Sequence, residues 1–132
     1  MDEPIAVAVG LGCQHGVAPA SLEQAIEAAL SPLGAVVVVC LASHARKSDE
    51  PALLELARRR GWPLRFYPAE VLAGVAVPTP SGRVAGEVGA PSVAEAAARL
   101  AASGGELLIA KQIHRGEDGK AVTVAVARRS QR

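Results

Sequence analysis

Apolar stretches alternate with amphipathic segments along most of the chain. The first apolar stretch, 5–9, is followed from Ser21 by a segment in which apolar residues recur at the spacing of one helix face. The next stretch, 35–41, contains four consecutive valines and no polar residue. A strand without polar alternation is buried on both faces, which is typical of the middle of a parallel sheet. This part of the chain is therefore predicted to fold as strand, helix and strand.

The alternation continues to the C-terminus, where the pattern changes to that of a hairpin. Pro51 is suited to the first turn of a second helix, and Ser92 with Glu95 has the spacing of a capping box for a third. Two strand-like segments flank the turn signal 116–119. After the second apolar stretch, the predicted elements are a helix from Pro51 to Arg60, a strand over 64–67, a helical turn over 70–74, a helix from Ser92, and strands over 106–113 and 121–127.

This order of elements defines the predicted fold class. Right-handed crossovers between the strands place helices on both faces of a sheet. We therefore predict an α/β fold, a three-layer α/β/α sandwich whose mixed, mostly parallel sheet ends in a C-terminal β-hairpin. The whole chain, 1–132, is predicted to form one domain, since its length matches that of a single domain.

Composition and charge exclude several classes of protein. Aromatic residues make up 2% of the chain and the net charge is +1, so the chain lacks the basic excess and stacking platforms of a nucleic-acid binder. Its longest apolar run, 35–42, is too short to span a membrane. We expect a cytoplasmic protein in which Cys13 and Cys40 are free thiols. No metal-ligand spacing is present, and neither a metal nor another cofactor is expected.

Three polar segments are predicted to share one edge of the sheet. They are 10–20, 43–50 and 77–91, and each follows a strand and precedes a helix. Ligands of open α/β sheets bind at the carboxyl ends of the strands, and helix N-termini favour anions. Lysine and arginine residues add positive charge to these segments or to the neighbouring hairpin, so a polyanionic small molecule is the expected ligand. These residues are Arg46, Lys47, Arg83, Lys111 and Arg115.

The first of these segments also contains candidate catalytic groups. Cys13 and His15 have the residue types of a nucleophile and its base, with Asp49 or Glu50 as an orienting carboxylate. The alternative is that Cys13 is a small residue beside a tight turn, and we favour it because residues two apart seldom meet productively. The glycines of 10–16 do not form a dinucleotide site, since their spacing is wrong and no acidic residue follows the second strand.

Several separated motifs resemble those of a known family. They are a GCxxG loop at 12–16, a KxDE stretch at 47–50, a VPNPS-like element at 77–81 and an SVAEAAA helix start at 92–98, with Lys111 matching a family lysine. Together they resemble the CobE family of cobalamin (vitamin B12) biosynthesis, which is similar to the C-terminal domain of CbiG. The resemblance covers essentially the whole chain.

The chain departs from the family pattern at two places. Gln14 and His15 stand where the family often has a basic residue, and Thr79 stands where asparagine is common. The resemblance implies a role in assembling the corrin ring, whose precursors carry many carboxylates. The ligand-binding candidates that combine the loops and the motifs are Gly12, Cys13, Gly16, Lys47, Asp49, Glu50, Ser81, Ser92 and Lys111.

Three hypotheses for the function follow. The leading one is a module that binds or carries a precorrin-type tetrapyrrole. The second is a hydrolase that opens the δ-lactone of a (cobalt-)precorrin-5, as the resemblance implies for the longer CbiG proteins. The third is a non-catalytic partner that docks on another cobalamin-biosynthesis enzyme. The sequence leaves the particular intermediate, the presence of cobalt and the oligomeric state open.

Overall fold

The computed structural model describes residues 4–75, 80–81 and 90–129, with the backbone alone at 80–81 and 90–91. Short 3-10 turns follow the first helix and the second strand, at Ser31–Leu33 and Ala45–Lys47. The strands and helices are β1 (Ile5–Cys13), α1 (Pro19–Leu30), β2 (Val36–His44), α2 (Pro51–Arg60), β3 (Leu64–Tyr67), α3 (Ala69–Ala73), β4 (Pro80–Ser81), β5 (Ala90–Pro91), α4 (Val93–Ala101), β6 (Leu107–Arg115) and β7 (Ala121–Arg128).

Five strands form the main sheet in the order β3-β2-β1-β7-β6, while β4 and β5 form a separate antiparallel pair. The α/β class, the mixed sheet and the C-terminal hairpin of β6 and β7 are confirmed. The prediction of a mostly parallel sheet is wrong, because two of the four pairings in this sheet are antiparallel. The hairpin joins the sheet through β7, so β7 is antiparallel both to β6 and to the central strand β1.

Each face of the sheet is covered by different helices. Val7, Val9 and Leu11 of β1 belong to a core that includes the buried faces of α1 and α2. Ala8 lies on the opposite face, in a smaller cluster with the alanines of α4. The alternation of side chains along a strand produces this division. The layer of small residues on the α4 side matches the scarcity of aromatic residues in the chain.

The close approach of α4 to the sheet depends on Gly10. A Cβ atom at Gly10 would overlap the carbonyl oxygen of Ala94 and lie 2.7 Å from the backbone nitrogen of Ala98. Only a glycine fits at this point of β1, because the helix backbone packs directly on the strand. This contact fixes the N-terminal turn of α4 beside the end of β1.

The start of α1 differs from the sequence prediction. The helix begins at Pro19 with Ala18 as its N-cap, whereas Ser21 was predicted to cap it. Asp118 of the hairpin turn accepts the backbone N–H of Ala18 at 3.0 Å, which ties the start of α1 to the hairpin. Ser21 is instead buried, and its hydroxyl fills the space beside Gly116 where a side chain would otherwise lie.

The arginines at the end of α2 connect this helix to its neighbours. Arg59 pairs with Glu23 of α1 at 3.1 Å, and Arg60 pairs with the same carboxylate and lies over the Trp62 ring. Gly61 ends α2 in the left-handed conformation, with φ of 72°. These contacts join α1 to α2 on one side of the sheet. Within the described residues, no helix combines the length and apolar character needed to cross a bilayer.

Candidate functional site

Two adjoining clefts lie where β1 and β2 end and α4 begins. The Lys47 cleft has a volume of about 340 Å³ and the Lys111 cleft about 210 Å³. Gly12 and Val93 line both clefts and so form the wall between them. The remaining lining residues are Cys13, Ser43, His44, Arg46 and Lys47 in the first cleft and Ser92, Ala94, Lys111 and Thr123 in the second.

The walls of the Lys47 cleft are fixed by hydrogen bonds between strand ends. The buried hydroxyl of Ser43 donates to the carbonyl oxygen of Leu11 at 2.7 Å, which ties β2 to β1. His44 Nδ1 accepts the backbone N–H of Arg46 at 2.9 Å and caps the 3-10 turn that contains Lys47. A neutral His44 ring therefore carries its proton on Nε2, where it can donate to a ligand.

Glu50 is a buried carboxylate that holds together the segments behind the Lys47 cleft. Its side chain is 2% exposed, and its two oxygens accept the Gly16 N–H at 3.0 Å and meet His15 Nδ1 at 3.1 Å. Lys47 Nζ lies 3.8 Å from Glu50 Oε1. Glu50 thus joins the loop after β1 to the turn after β2, and it keeps the Lys47 ammonium near the cleft.

Cys13 lines the Lys47 cleft as a neutral thiol. Burial raises the pKa of Cys13 and is the largest effect on it. The charge of Lys47 lowers this pKa to a smaller degree, and the Glu50 carboxylate raises it. Since the thiolate is the nucleophilic form, this environment does not activate Cys13. The imidazole of His15 is directed at Glu50 and is 88% exposed. The geometry therefore supports the structural interpretation of Cys13.

The Lys111 cleft combines the start of α4 with strand β6. Ser92 caps α4 as predicted, with its hydroxyl accepting the Glu95 N–H at 3.3 Å. Glu95 itself is fully buried, and its carboxylate accepts the backbone N–H of Lys111. The cap and the Glu95 contact place the free end of a helix and a lysine side chain in one cleft, which suits an anionic group.

The structure brings most of the sequence-predicted site residues to this edge. Gly12, Cys13, Lys47, Ser92 and Lys111 line the two clefts. Glu50, Gly16 and His15 form the supporting cluster beside the Lys47 cleft.

Asp49, Ser81 and Arg83 are the predicted site residues that the structure does not bring to the clefts or does not describe. Asp49 is exposed and belongs to the lining of neither cleft. The Ser81 side chain and Arg83 lie outside the described residues, as does most of the predicted 77–91 segment. We found no cluster of three metal-ligating side chains in the parts of the chain that the structure describes.

Sequence reasoning placed Ser43 and His44 at the ligand-binding edge, in the polar segment 43–50, but predicted a loop there. In the structure β2 continues through both residues, and β1 likewise continues to Cys13. The apolar pattern stops before the strands do, because their last residues face the clefts rather than the core. Thr123 of β7 was not associated with the site, since its position beside β1 depends on the long-range pairing of the hairpin. Glu95 was recognised only as a capping residue.

Comparisons with known proteins agree on one family. The family model for the cobalamin synthesis G C-terminus matches residues 7–127. Over 126 residues, the chain is 33% identical to the cobalt-precorrin-5A hydrolase of Priestia megaterium. That match covers 94% of this chain and 32% of the relative, so the chain spans about a third of the length of this curated protein.

Two solved structures are similar over nearly their whole length. The first is CobE, a protein from the cobalamin biosynthetic pathway, with a TM-score of 0.75 and 34% identity over 97% of this chain and 93% of CobE. The second is the cobalamin biosynthesis protein chiG from Agrobacterium tumefaciens, with a TM-score of 0.71 and 35% identity. That match covers 95% of this chain and 99% of chiG.

Proposed function

Because the chain belongs to the family of the cobalamin synthesis G C-terminus, to which CobE is similar, we propose that it binds and carries a polyanionic precorrin intermediate during corrin-ring assembly. The observation that carries this proposal is the placement of Lys47 and Lys111 in two adjoining clefts at one sheet edge. Two cations separated by the Gly12 wall match a ligand with several carboxylate chains on one rigid ring. Charge-assisted hydrogen bonds to such carboxylates are the stronger kind.

The sizes of the clefts determine how such a ligand binds. A tetrapyrrole macrocycle is larger than either cleft, whereas an acetate or propionate side chain fits in both. The ring then lies across the sheet edge, and its carboxylate chains enter the clefts on either side of Gly12. Ring stacking contributes little, since the chain has only three aromatic residues, one each of Trp, Tyr and Phe.

The side chains of the site favour binding over catalysis. Cys13 and Ser43 are nucleophilic residue types in the Lys47 cleft. Burial raises the pKa of the Cys13 thiol, and the Ser43 hydroxyl donates to the Leu11 carbonyl oxygen. Glu50 is the buried carboxylate nearest to that cleft, and its oxygens are engaged by Gly16, His15 and Lys47. A general base needs a free acceptor within reach of the water or group that it deprotonates. The carboxylate of Glu50 therefore orders the site.

A hydrolase is the second candidate, and the His15–Glu50 pair favours it. Glu50 orients Nδ1 of His15, so Nε2 faces solvent and can accept a proton. In this proposal His15 deprotonates water, the hydroxide adds to the carbonyl carbon of the precorrin δ-lactone, and the ring C–O bond breaks. Breaking this bond leaves a carboxylic acid and an alkoxide. The alkoxide oxygen takes up the proton from His15 to give the alcohol, and the carboxylic acid then releases its own proton to solvent and becomes a carboxylate. The name of the Priestia megaterium relative is consistent with this reaction.

A titration combined with product analysis separates these proposals. Purified protein is titrated with cobalt-precorrin-5A under anaerobic conditions, absorbance is followed, and the released material is analysed by mass. A saturable spectral change with recovery of unchanged ligand supports the carrier. A product that is heavier than the ligand by one water supports the hydrolase, provided that the His15→Ala variant does not form it.

The remaining outcome contradicts both proposals. If neither binding nor conversion occurs, and the protein co-purifies with another cobalamin-biosynthesis enzyme, the docking role is correct instead. Arg128→Ala is the matched control, because it removes one exposed cation outside both clefts. This variant should bind and convert ligand as the wild type does.

A further inference from the structure

A third cavity, of about 210 Å³, lies beside the C-terminal turn of α4. We call it the Cys40 cavity. Its polar lining comes from Cys40 of β2, Arg65 and Tyr67 of β3, and Ser103 and Arg129. The helix separates it from the two clefts by about 12 Å, at 1.5 Å per residue from Val93 to Ala101. The sequence analysis assigned no function to this end of α4.

Two guanidinium groups line the Cys40 cavity, those of the exposed residues Arg65 and Arg129. Within the described part of the chain, neither Arg65 nor Arg129 forms an ion pair, whereas all three arginines at the end of α2 do. The backbone of Arg129 is fixed, since its N–H donates to the Ala6 carbonyl at 2.8 Å. Both residues line the cavity that contains Cys40, and both positive charges lower the pKa of its thiol.

The other polar groups of the cavity do not cancel this positive charge. Burial raises the pKa of Cys40, and the opposing effects of Arg65 and Arg129 are smaller. Burial likewise raises the pKa of Tyr67, although the charge of Arg65 lowers it. Near neutral pH the thiol and the phenol are therefore uncharged, and the phenol can donate a hydrogen bond.

The negative end of the helix dipole is also compensated. The last carbonyl groups of a helix carry partial negative charge, which would repel an anion. Arg99 lies in the last turn of α4, where its positive charge offsets this partial charge, and its guanidinium donates to the carbonyl oxygens of Gly104 and Gly105 just after the helix, each at 3.2 Å. Ser103 adopts φ of 58°, a conformation that costs a non-glycine residue about 1–3 kcal/mol when the surroundings impose it.

We infer that the Cys40 cavity binds an anionic carboxylate or phosphate group between Arg65 and Arg129, with the Tyr67 hydroxyl as a further donor. Guanidinium groups match the planar geometry of carboxylates and the oxygens of phosphates, and they remain charged at every physiological pH. The cavity admits one such group and a short chain. This site is separate from the Lys47 and Lys111 clefts and does not depend on their ligand.

The test is an amide chemical-shift titration of the full chain with inorganic phosphate and, in parallel, with acetate. We expect saturable shifts at Cys40, Tyr67 and Ser103. Arg65→Ala and Arg129→Ala should each weaken binding ten-fold or more. Arg128→Ala removes the same charge from the neighbouring position, which is exposed as Arg129 is but does not line the cavity, and should change the affinity less than two-fold.

A second readout uses the thiol in the cavity. In a Cys13→Ser background, bound phosphate should slow alkylation of Cys40, and the protection should disappear in Arg65→Ala. A titration with uroporphyrin, a stable tetrapyrrole polycarboxylate, distinguishes the sources of the anion. If uroporphyrin shifts the same three amides and added phosphate reverses these shifts, the natural anion is a tetrapyrrole carboxylate. If only phosphate or acetate causes shifts, it is a small free anion.

Two results would overturn the inference. One is the absence of saturable shifts with all three probes. The other is an equal loss of affinity in the Arg65, Arg129 and Arg128 variants, which would show general attraction to a basic surface. Thermal unfolding of each variant identifies any that fail to fold, and replacement of Arg65 by Lys then retains the charge in a folded protein. Neither result would bear on precorrin binding at the other clefts.

Discussion

The carboxylate of Glu95 accepts the backbone N–H of Lys111 at 2.7 Å. Glu95 lies in the first turn of α4 and is fully buried, and Lys111 lies in β6 where the register with β7 is interrupted between Ile109 and Gln112. A side chain from the helix layer thus satisfies a backbone group at an irregular point of the sheet. The same bond fixes the position of Lys111 at the Lys111 cleft.

Replacement of Glu95 by alanine should destabilise the protein and disturb the cleft together. The substitution leaves the partly buried Lys111 N–H without its acceptor, which costs about 1–3 kcal/mol. Glu95→Gln keeps an oxygen that can accept the same hydrogen bond and should lose less than half as much. Urea denaturation measures both losses. Equal stability of the alanine and wild-type proteins would show that the bond does not support β6.

Gly10 and Gly12 provide a matched pair of glycine substitutions two residues apart. A methyl group at Gly10 would overlap the backbone of α4, whereas at Gly12 the nearest atom, Thr123 Cβ, is 3.7 Å away. We expect Gly10→Ala to destabilise by about 1–3 kcal/mol or more through overpacking. Gly12→Ala should change stability by less than about 0.5 kcal/mol.

Of these two glycines, Gly12 is the one whose replacement should affect ligand binding. Gly12 forms the wall between the clefts, so its new methyl group would meet a ligand that spans both. Gly12→Ala should fold normally and weaken precorrin binding, as measured by the spectral titration. Normal affinity in this variant would contradict a ligand that crosses the Gly12 wall.

The Cys13 thiol should show the pH dependence of a buried neutral group. Because burial raises its pKa, the unfolded thiol ionises first as the pH rises above about 8.5. The folded state then binds more protons than the unfolded state, so the stability contributed by this group is complete below that pH and is lost at higher pH. Denaturation between pH 7 and pH 10 should show a smaller loss in Cys13→Ser than in the wild type.

Alkylation provides an independent measure of the same thiol. In a Cys40→Ser background, iodoacetamide should react slowly with Cys13 at pH 7. Lys47→Ala should slow the reaction further, since the charge of Lys47 lowers the Cys13 pKa. Rapid modification at neutral pH would instead show a thiolate and revive the nucleophile hypothesis.

Local patterns were sufficient to predict most elements and one edge of the site. The valines of β2, the Ser92 cap and Pro51 at the start of α2 each act within a few residues, so the sequence displays them directly. The rule that ligands bind at the carboxyl ends of strands placed Gly12 and Lys47 correctly at one edge.

The contacts that sequence reasoning missed join distant segments. Asp118 accepts the backbone N–H of Ala18 across a hundred positions, and β7 pairs with β1. No local pattern encodes either contact, because each depends on where the hairpin docks. The antiparallel half of the sheet and the role of Glu95 follow from this docking, and both required the three-dimensional structure.

The two cleft lysines should act together on one ligand. Lys111→Ala should weaken precorrin binding about ten-fold, the effect of losing about 1.4 kcal/mol of charge-assisted contact. Its effect on stability should be small, since no ion pair of Lys111 occurs among the described side chains. Lys47→Ala should weaken binding to a similar degree and also lower stability, because Lys47 partly neutralises the buried Glu50.

The double variant distinguishes one ligand from two. If both lysines hold carboxylates of the same macrocycle, their losses should add to about a hundred-fold, because the side chains occupy separate clefts without a shared partner. Added salt should weaken wild-type binding more steeply than binding by the double variant, since fewer charges remain to be screened. If the double variant binds no more weakly than either single variant, the lysines do not contact the ligand at the same time. Arg128→Ala, measured in parallel, gives the effect of removing a cation outside the clefts.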